Sequence, residues 1–179
     1  MNTSSRSPAG IDPRSPRFGA GITAIALLIT LSLGLADSTI PQGVAERSAD
    51  PAFLLLTLIT ALFAWGAFAG IKRHPYGALF KALILPRLGP PAYREEPEPP
   101  TFAQLVGFVV SAIGVVLHLV GIPYGLVAAT AAAFIAAFLN SVFGLCLGCE
   151  MYALLVRARI IRQSGVSRNA LKSVAKIAR

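Results

Sequence analysis

Charge is what this chain has least of. Only 13% of its 179 residues are Asp, Glu, Lys or Arg, about half the share that keeps the surface of a soluble globular protein wet. Apolar residues make up 55%, and the mean hydropathy is +0.67, so the composition suits lipid as solvent. Acidic residues are scarcer still, 8 against 16 basic ones, giving a net charge of +8. In a soluble protein that excess would raise nucleic-acid binding. Here the basic residues flank apolar runs, topology accounts for them, and no nucleic-acid partner is expected. Cysteine is almost absent. Cys146 and Cys149 are the only two, and they are too close together to staple distant parts of a fold, which excludes a disulfide scaffold.

What remains is a series of long uncharged runs. Phe18 to Ala36 is nineteen residues without a charge, after Arg6, Arg14 and Arg17 and before Asp37. A hydrocarbon core about 30 Å thick needs about 20 helical residues, so this run is a first span. Gly34 and Ala36 also fit a small-x-small cleavage site, but the run exceeds the roughly 7 to 15 apolar residues of a signal peptide. Cleavage there would leave three spans. Pro51 to Ile71 is a second run, of twenty-one residues. Asp50 suits the cap of its free N–H groups and Pro51 its first helical position. Lys72 and Arg73 stop it, and Gly66 with Gly70 form a G-x-x-x-G pair that can admit a close neighbour.

From Pro99 to Cys149 there is no formally charged residue if His118 is neutral. Fifty-one residues are too many for one crossing. Gly121-Ile122-Pro123 is the break, with glycine ending one helix and proline opening the next. Thr101 with Gln104 reads as a capping box for a third span over about 101–120. The fourth span runs over about 124–149, with alanine at 128, 129, 131, 132, 133, 136 and 137, a helix that neighbours can approach closely. The expected fold is all-α, a membrane-embedded bundle of about four transmembrane helices formed by residues 1–156. A basic tail follows over 157–179.

Lysine and arginine set the expected orientation. Three precede the first span, one (Arg47) lies in the first connection, five in the second, none in the third and seven in the tail. Fifteen therefore fall on one side and one on the other, which by the positive-inside rule places both termini in the cytoplasm. In the second connection, Tyr76 to Leu85 is apolar apart from Lys81, bracketed by prolines and too short to cross. A short interfacial helix fits it, with Leu79, Phe80, Leu83 and Ile84 towards lipid or protein. Gly89-Pro90-Pro91 and Glu95-Glu96-Pro97-Glu98-Pro99-Pro100 read as a stiff extended linker. In the tail, Arg168, Lys172, Lys176 and Arg179 line one helical face, suited to an anionic leaflet.

One constellation carries reactive potential: Cys146-Leu147-Gly148-Cys149. On a helix, residues three apart share a face. With Tyr124 at the outer boundary, about 20 residues at ~1.5 Å each reach the inner boundary near Phe143, so both sulfurs fall at the cytoplasmic edge. A stable disulfide is disfavoured there, and two thiolates alone do not complete a zinc site. Reversible thiol–disulfide or persulfide chemistry is the economical functional reading. Two small buried hydrophobes packed beside Gly144 and Gly148 is the structural alternative. Late in a helix and beside Glu150, the pair is expected to favour the neutral thiol. Arg157 is about 16 Å further along a continuous helix. Asn140 and Ser141 in the fourth span are candidates for a polar path, though such residues more often bridge helices or bond to backbone. His118 is a candidate proton or ligand site that solvation near the interface would also explain.

Several segments in order, Ile11-Asp12-Pro13-Arg14, His74-Pro75-Tyr76-Gly77, Pro86-Arg87-Leu88-Gly89-Pro90-Pro91, Pro100-Thr101-Phe102-Ala103-Gln104 and Phe138 through Glu150, resemble the small bacterial membrane proteins grouped as domain of unknown function family 4395. The likeness spans roughly residues 8–156, and Gly144-x-Cys146-x-Gly148-Cys149-Glu150 is its most specific part. It implies a role for Cys146, Cys149, Glu150 and Asn140, and, through frequent neighbours of such proteins, a thioredoxin-like or rhodanese-like partner. The leading expectation is an inner-membrane protein whose cysteine pair exchanges electrons or sulfane sulfur with such a partner, with no cofactor. A carrier for a small sulfur species and a non-catalytic scaffold for a cytoplasmic enzyme are the alternatives. A second copy of the chain is an open partner besides the bilayer.

Overall fold

The computed structural model describes residues 10–36, 43–91 and 93–160. The amphipathic tail helix expected beyond Ser164 lies outside the described residues. Four helices are long and apolar enough to cross a bilayer: α1 (Arg14–Ala36), α3 (Pro51–Phe68), α6 (Glu98–Leu119) and α7 (Gly125–Phe138), the last extended by a wide turn to Phe143. Four short ones accompany them among the described residues: α2 (Val44–Ala49), α4 (Pro75–Leu83), α5 (Leu85–Leu88) and α8 (Leu147–Arg157). The fold is an all-α membrane bundle. Each long helix packs on two others in the ring α1, α3, α6, α7, as expected when consecutive spans run up and down.

Packing and solvent preference explain this arrangement together. Leu27 of α1, Phe53, Leu56 and Ile59 of α3, and Leu126 and Ala133 of α7 form the buried core. Apolar side chains also cover the outside, including Ile25, Leu58, Ile113 and Ile135, each at least half exposed. A helix that is apolar all round is at home in lipid, where no polar outer face is required. With lipid tails as apolar as leucine, association depends on close fit, and small residues supply it. A Cβ on Gly114 of α6 would stand 2.6 Å from that of Ala129 on α7, and one on Gly125 would stand 2.6 Å from Leu117. Ser111 and Thr30 are fully buried and return their hydroxyls to their own helices at Gly107 O and Ala26 O.

At three helix starts the residue just before a proline supplies the cap. Asp50 accepts the Ala52 N–H at 2.7 Å ahead of α3, as the Asp-Pro pattern implies. Asp12, before Pro13, accepts the Arg14 N–H at 2.9 Å, so α1 begins four residues ahead of the uncharged run. Ahead of α4, His74 Nδ1 accepts the Tyr76 N–H at 3.3 Å. The third span also starts early: α6 opens at Glu98 with two prolines in its first turn. Thr101 is therefore no cap, and its hydroxyl donates back to Pro97 O at 2.7 Å. The expected extended linker ends accordingly at Pro97. Upstream, Glu95 and Ile11 form the one isolated β-bridge among the described residues. Arg14 bonds Asp12 and reaches Gly89 O at 3.0 Å, so the second connection is strapped to the start of α1. The expected short helix is α4, with Phe80 buried 5.8 Å from the Phe18 ring and Leu83 exposed.

The G-x-x-x-G pair of the second span divides. A Cβ on Gly66 would meet the Gln104 side chain, whereas Gly70 lies past the helix end at φ 83°, where an added Cβ would meet nothing within 4 Å.

Candidate thiol site at the basic end of the bundle

The fourth span does not run on to Cys149. After Phe138 the helix widens over Leu139–Phe143, and Gly144 ends it in the left-handed conformation at φ 70° and ψ 12°. The amides of Gly144 and Leu145 bond back to Asn140 O and Leu139 O at 3.1 and 3.2 Å. Glycine adopts this backbone without the steric cost any other residue would meet. The chain then turns through Leu145 to an extended Cys146, and a new helix, α8, begins at Leu147. The sequence expectation of a pair late in a continuous helix is corrected here.

Cys146 is the residue that caps α8. Its sulfur accepts the Cys149 N–H at 3.3 Å and its carbonyl accepts the Glu150 N–H at 3.0 Å, the bonding of a serine or aspartate cap. The two sulfurs are joined as a disulfide with Cα atoms 5.2 Å apart. The electrostatic expectation reverses with the break. A helix N-terminus concentrates unpaired N–H groups and the positive end of the peptide dipoles, so the backbone favours a thiolate here once the pair is reduced. Glu150, exposed in the first turn, still opposes it.

Gly148 fixes where this helix sits. A Cβ there would lie 2.5 Å from Ala103 Cα on α6, so α8 rests directly on the α6 backbone. One turn on, the Tyr152 ring lies 5.7 Å from Phe102. The two glycines that look alike in sequence thus act differently, Gly148 by close approach and Gly144 by its backbone conformation. Arg17 of α1 is a site neighbour that sequence reasoning counted only as a flanking charge. It donates to Val142 O at 3.4 Å, and its guanidinium lies 3.3 Å from where a Gly144 Cβ would stand. Arg157 lies in the last turn of α8, away from the pair.

The other candidates separate. Asn140 and Ser141 lie in the wide turn just before the break. Ser141 donates to Phe138 O at 3.1 Å, the backbone-bonded alternative, while the Asn140 side chain has no hydrogen-bond partner among the described residues. His118 is at the opposite end of the bundle. Its Nε2 is 3.4 Å from Asp50 Oδ2 and 3.2 Å from Arg47 O, and its ring stacks on Phe53 at 5.4 Å. Its side chain is only 14% exposed, so contact with protein, not solvation, accounts for it, and it bridges helices there. His74 is buried near the Cys end with both nitrogens on backbone, Nδ1 from Tyr76 N–H and Nε2 on Leu62 O at 3.1 Å. Burial lowers its pKa.

The family comparison bears out the resemblance. The family described as Domain of unknown function (DUF4395) matches residues 11–157, a stretch that includes every helix from α1 to α8. No curated protein and no solved structure matches the chain. The chain belongs to that domain-of-unknown-function family.

Proposed function

From that membership and the geometry of the pair, we propose that the protein is a thiol-exchange subunit of the bacterial inner membrane. In this reading Cys146 and Cys149 face the cytoplasm and pass electrons or sulfane sulfur to and from a soluble thioredoxin-like or rhodanese-like partner. The observation that carries it is the placement of Cys146 as the cap of α8, its sulfur on the Cys149 N–H, at the end of the bundle where nine of the ten described Lys and Arg residues lie. That charge bias supports a cytoplasmic face.

The exchange assigns a different part to each sulfur. A Cys146 thiolate, favoured by the N-terminus of α8, attacks a disulfide of the partner. The partner's S–S bond breaks, a Cys146 mixed disulfide forms, and one partner thiolate leaves. Cys149 then attacks the Cys146 sulfur and releases the second partner thiolate. The pair is oxidised by two electrons and the partner's disulfide is reduced to a dithiol. A dithiol partner drives the same steps in reverse. With a persulfide donor, Cys146 takes the outer sulfur and the donor leaves as a thiolate. Attack by Cys149 on the inner sulfur would then release hydrosulfide and close the disulfide.

The carrier alternative has less support, since Leu27, Ile59 and Ala133 fill the interior between the ends. The deciding experiment is trapping. Full-length Cys149→Ser protein in membranes should accumulate a mixed disulfide or persulfide on Cys146 with a soluble thiol protein, and Cys146→Ser should accumulate none. Equal trapping by both variants, or by neither when wild-type pair turnover is detectable, overturns the assignment.

A further inference from the structure

A cleft of about 520 Å³ opens at the Cys end, between the last turn of α3, the short turn Ile71–Arg73, the first two turns of α6 and Tyr152 of α8. Its volume is that of a small-molecule site, and it shares only the helix α8 with the thiol pair. Its walls change character with depth. Ala67, Phe102 and Leu105 belong to two of the four long apolar helices, so the inner part of the cleft is apolar where α3 and α6 enter the hydrocarbon layer. Lys72 and Arg73 stand at the mouth, just beyond the last turn of α3, with Glu98 across from them on α6. Lys72 and Arg73 are exposed, and their side chains make no hydrogen bond or ion pair among the described residues.

An apolar recess continuous with the membrane and rimmed by two cations matches one ligand chemistry: an amphiphile with a hydrocarbon chain below and a phosphodiester above. A guanidinium takes two phosphate oxygens at once and an ammonium acts as a compact charge beside it. The charged residues of the lining are two cations, Lys72 and Arg73, and one carboxylate, Glu98, a set that favours an anionic headgroup over a zwitterionic one. We propose that this cleft is a specific site for an anionic phospholipid of the phosphatidylglycerol type, with one acyl chain along Leu105 and the phosphate between Lys72 and Arg73.

The test is native mass spectrometry of the full-length protein in detergent, titrated with phosphatidylglycerol, phosphatidylethanolamine and phosphatidylcholine. One phosphatidylglycerol per chain should be retained in preference to the other two. Lys72→Gln and Arg73→Gln should each weaken retention about fivefold, the size of one cation's attraction to an anionic surface. Lys81→Gln with Arg87→Gln, equally exposed charges outside the cleft, should leave it unchanged. Leu105→Trp, which fills the recess, should expel the lipid while circular dichroism stays that of the parent. Equal retention of all three lipids, equal weakening by the two pairs of variants, or full retention by Leu105→Trp would each overturn the site. Displacement of the lipid by millimolar glycerol 3-phosphate would assign the rim to a soluble phosphoester and overturn the lipid reading.

Discussion

The two ends of the bundle are built from different materials. At the far end, where α2 links α1 to α3 and α6 turns into α7, the polar groups are few and committed to one another. Asp50 caps α3 and faces His118, His118 meets Arg47 O, and Arg47 donates to Leu119 O at 3.1 Å. The α6–α7 turn is tight, with Gly121 at φ 80° against the Arg47 guanidinium and Tyr124 at φ 59°. At the Cys end, α4, α5 and α8 are added to the spans, one span ends in a widened turn, and exposed cations surround a disulfide and an open cleft. Buried polar groups in lipid must satisfy one another, and Asp50, His118 and Arg47 do so where they close the far end. The Cys end keeps exposed cations, Lys72 and Arg73 among them, where water can reach them, which suits the exchange role proposed above.

The sharpest way to break that contrast is to move α8. In Gly148→Ala the new methyl would meet the Ala103 backbone at 2.5 Å, and backbone cannot swing aside. The helix must lift off α6 at a cost of about 1–3 kcal/mol, lowering the unfolding midpoint and dispersing the redox potential of the pair. Gly34→Ala near the far end should be mild, because its Cβ would face the tips of Val127 and Leu126 at 3.2 and 3.3 Å and Ala52 Cβ at an ordinary 3.8 Å. Equal effects of the two substitutions in thermal unfolding would show that α8 is loosely held. A step smaller is Asp50→Ala, which removes the cap of α3 and the partner of His118. It should cost about 1 kcal/mol of stability and leave alkylation of the reduced cysteines unchanged. A changed alkylation rate would show that the ends are coupled.

The smaller effects belong to the Cys end alone. Arg17→Gln keeps a donor for Val142 O but removes the cation beside Gly144. Alkylation of reduced Cys146 at neutral pH should slow by about two- to fivefold, as befits an exposed charge, while Arg17→Lys keeps most of the rate. An unchanged rate in Arg17→Gln would confine the activation of Cys146 to the helix backbone.

Much of this was legible in the residues, and the parts that were not share a cause. Spans announce themselves as uncharged runs, and the start of α3 was readable from Asp50-Pro51 because carboxylate and proline together leave little else for the chain to do. The same logic applied to Asp12-Pro13, but charged Arg14 and Arg17 made the first span look shorter than its helix. Glu98-Pro99-Pro100 read as linker because prolines resist a helix interior, yet a first turn needs none of the N–H groups they lack. The break before Cys146 was the costly omission. Hydropathy is blind to it, and Gly144 and Gly148 cannot be told apart by composition. Asn140 and Ser141, poor helix formers just ahead of Gly144, were the available signal. Arg17 and Cys146 are 129 positions apart by number, and only the α1–α7 packing brings Arg17 to the turn beside the pair.

His74 supplies the finest test of the comparison, because it is the buried titratable group of the open end. It is 4% exposed, accepts the Tyr76 N–H at Nδ1 and holds Leu62 O through Nε2. Protonation would put the ring's second N–H hydrogen on Nδ1, break the cap of α4 and leave a charge without water, and burial accordingly lowers the pKa from the 6.5 of a free imidazole. A folded-state value below the unfolded one means that the unfolded chain binds the proton first. The contribution of His74 is therefore complete above about pH 6.5 and is lost as pH falls below it towards the folded-state value. In detergent, the unfolding midpoint of the parent should drop between pH 6.5 and 5 by more than that of His74→Asn, which keeps a capping oxygen and does not titrate. Parallel curves for the two proteins would assign the acid sensitivity elsewhere, and α4 would then be held by Phe80 on Phe18 and Tyr76 on Gly19 without help from the imidazole.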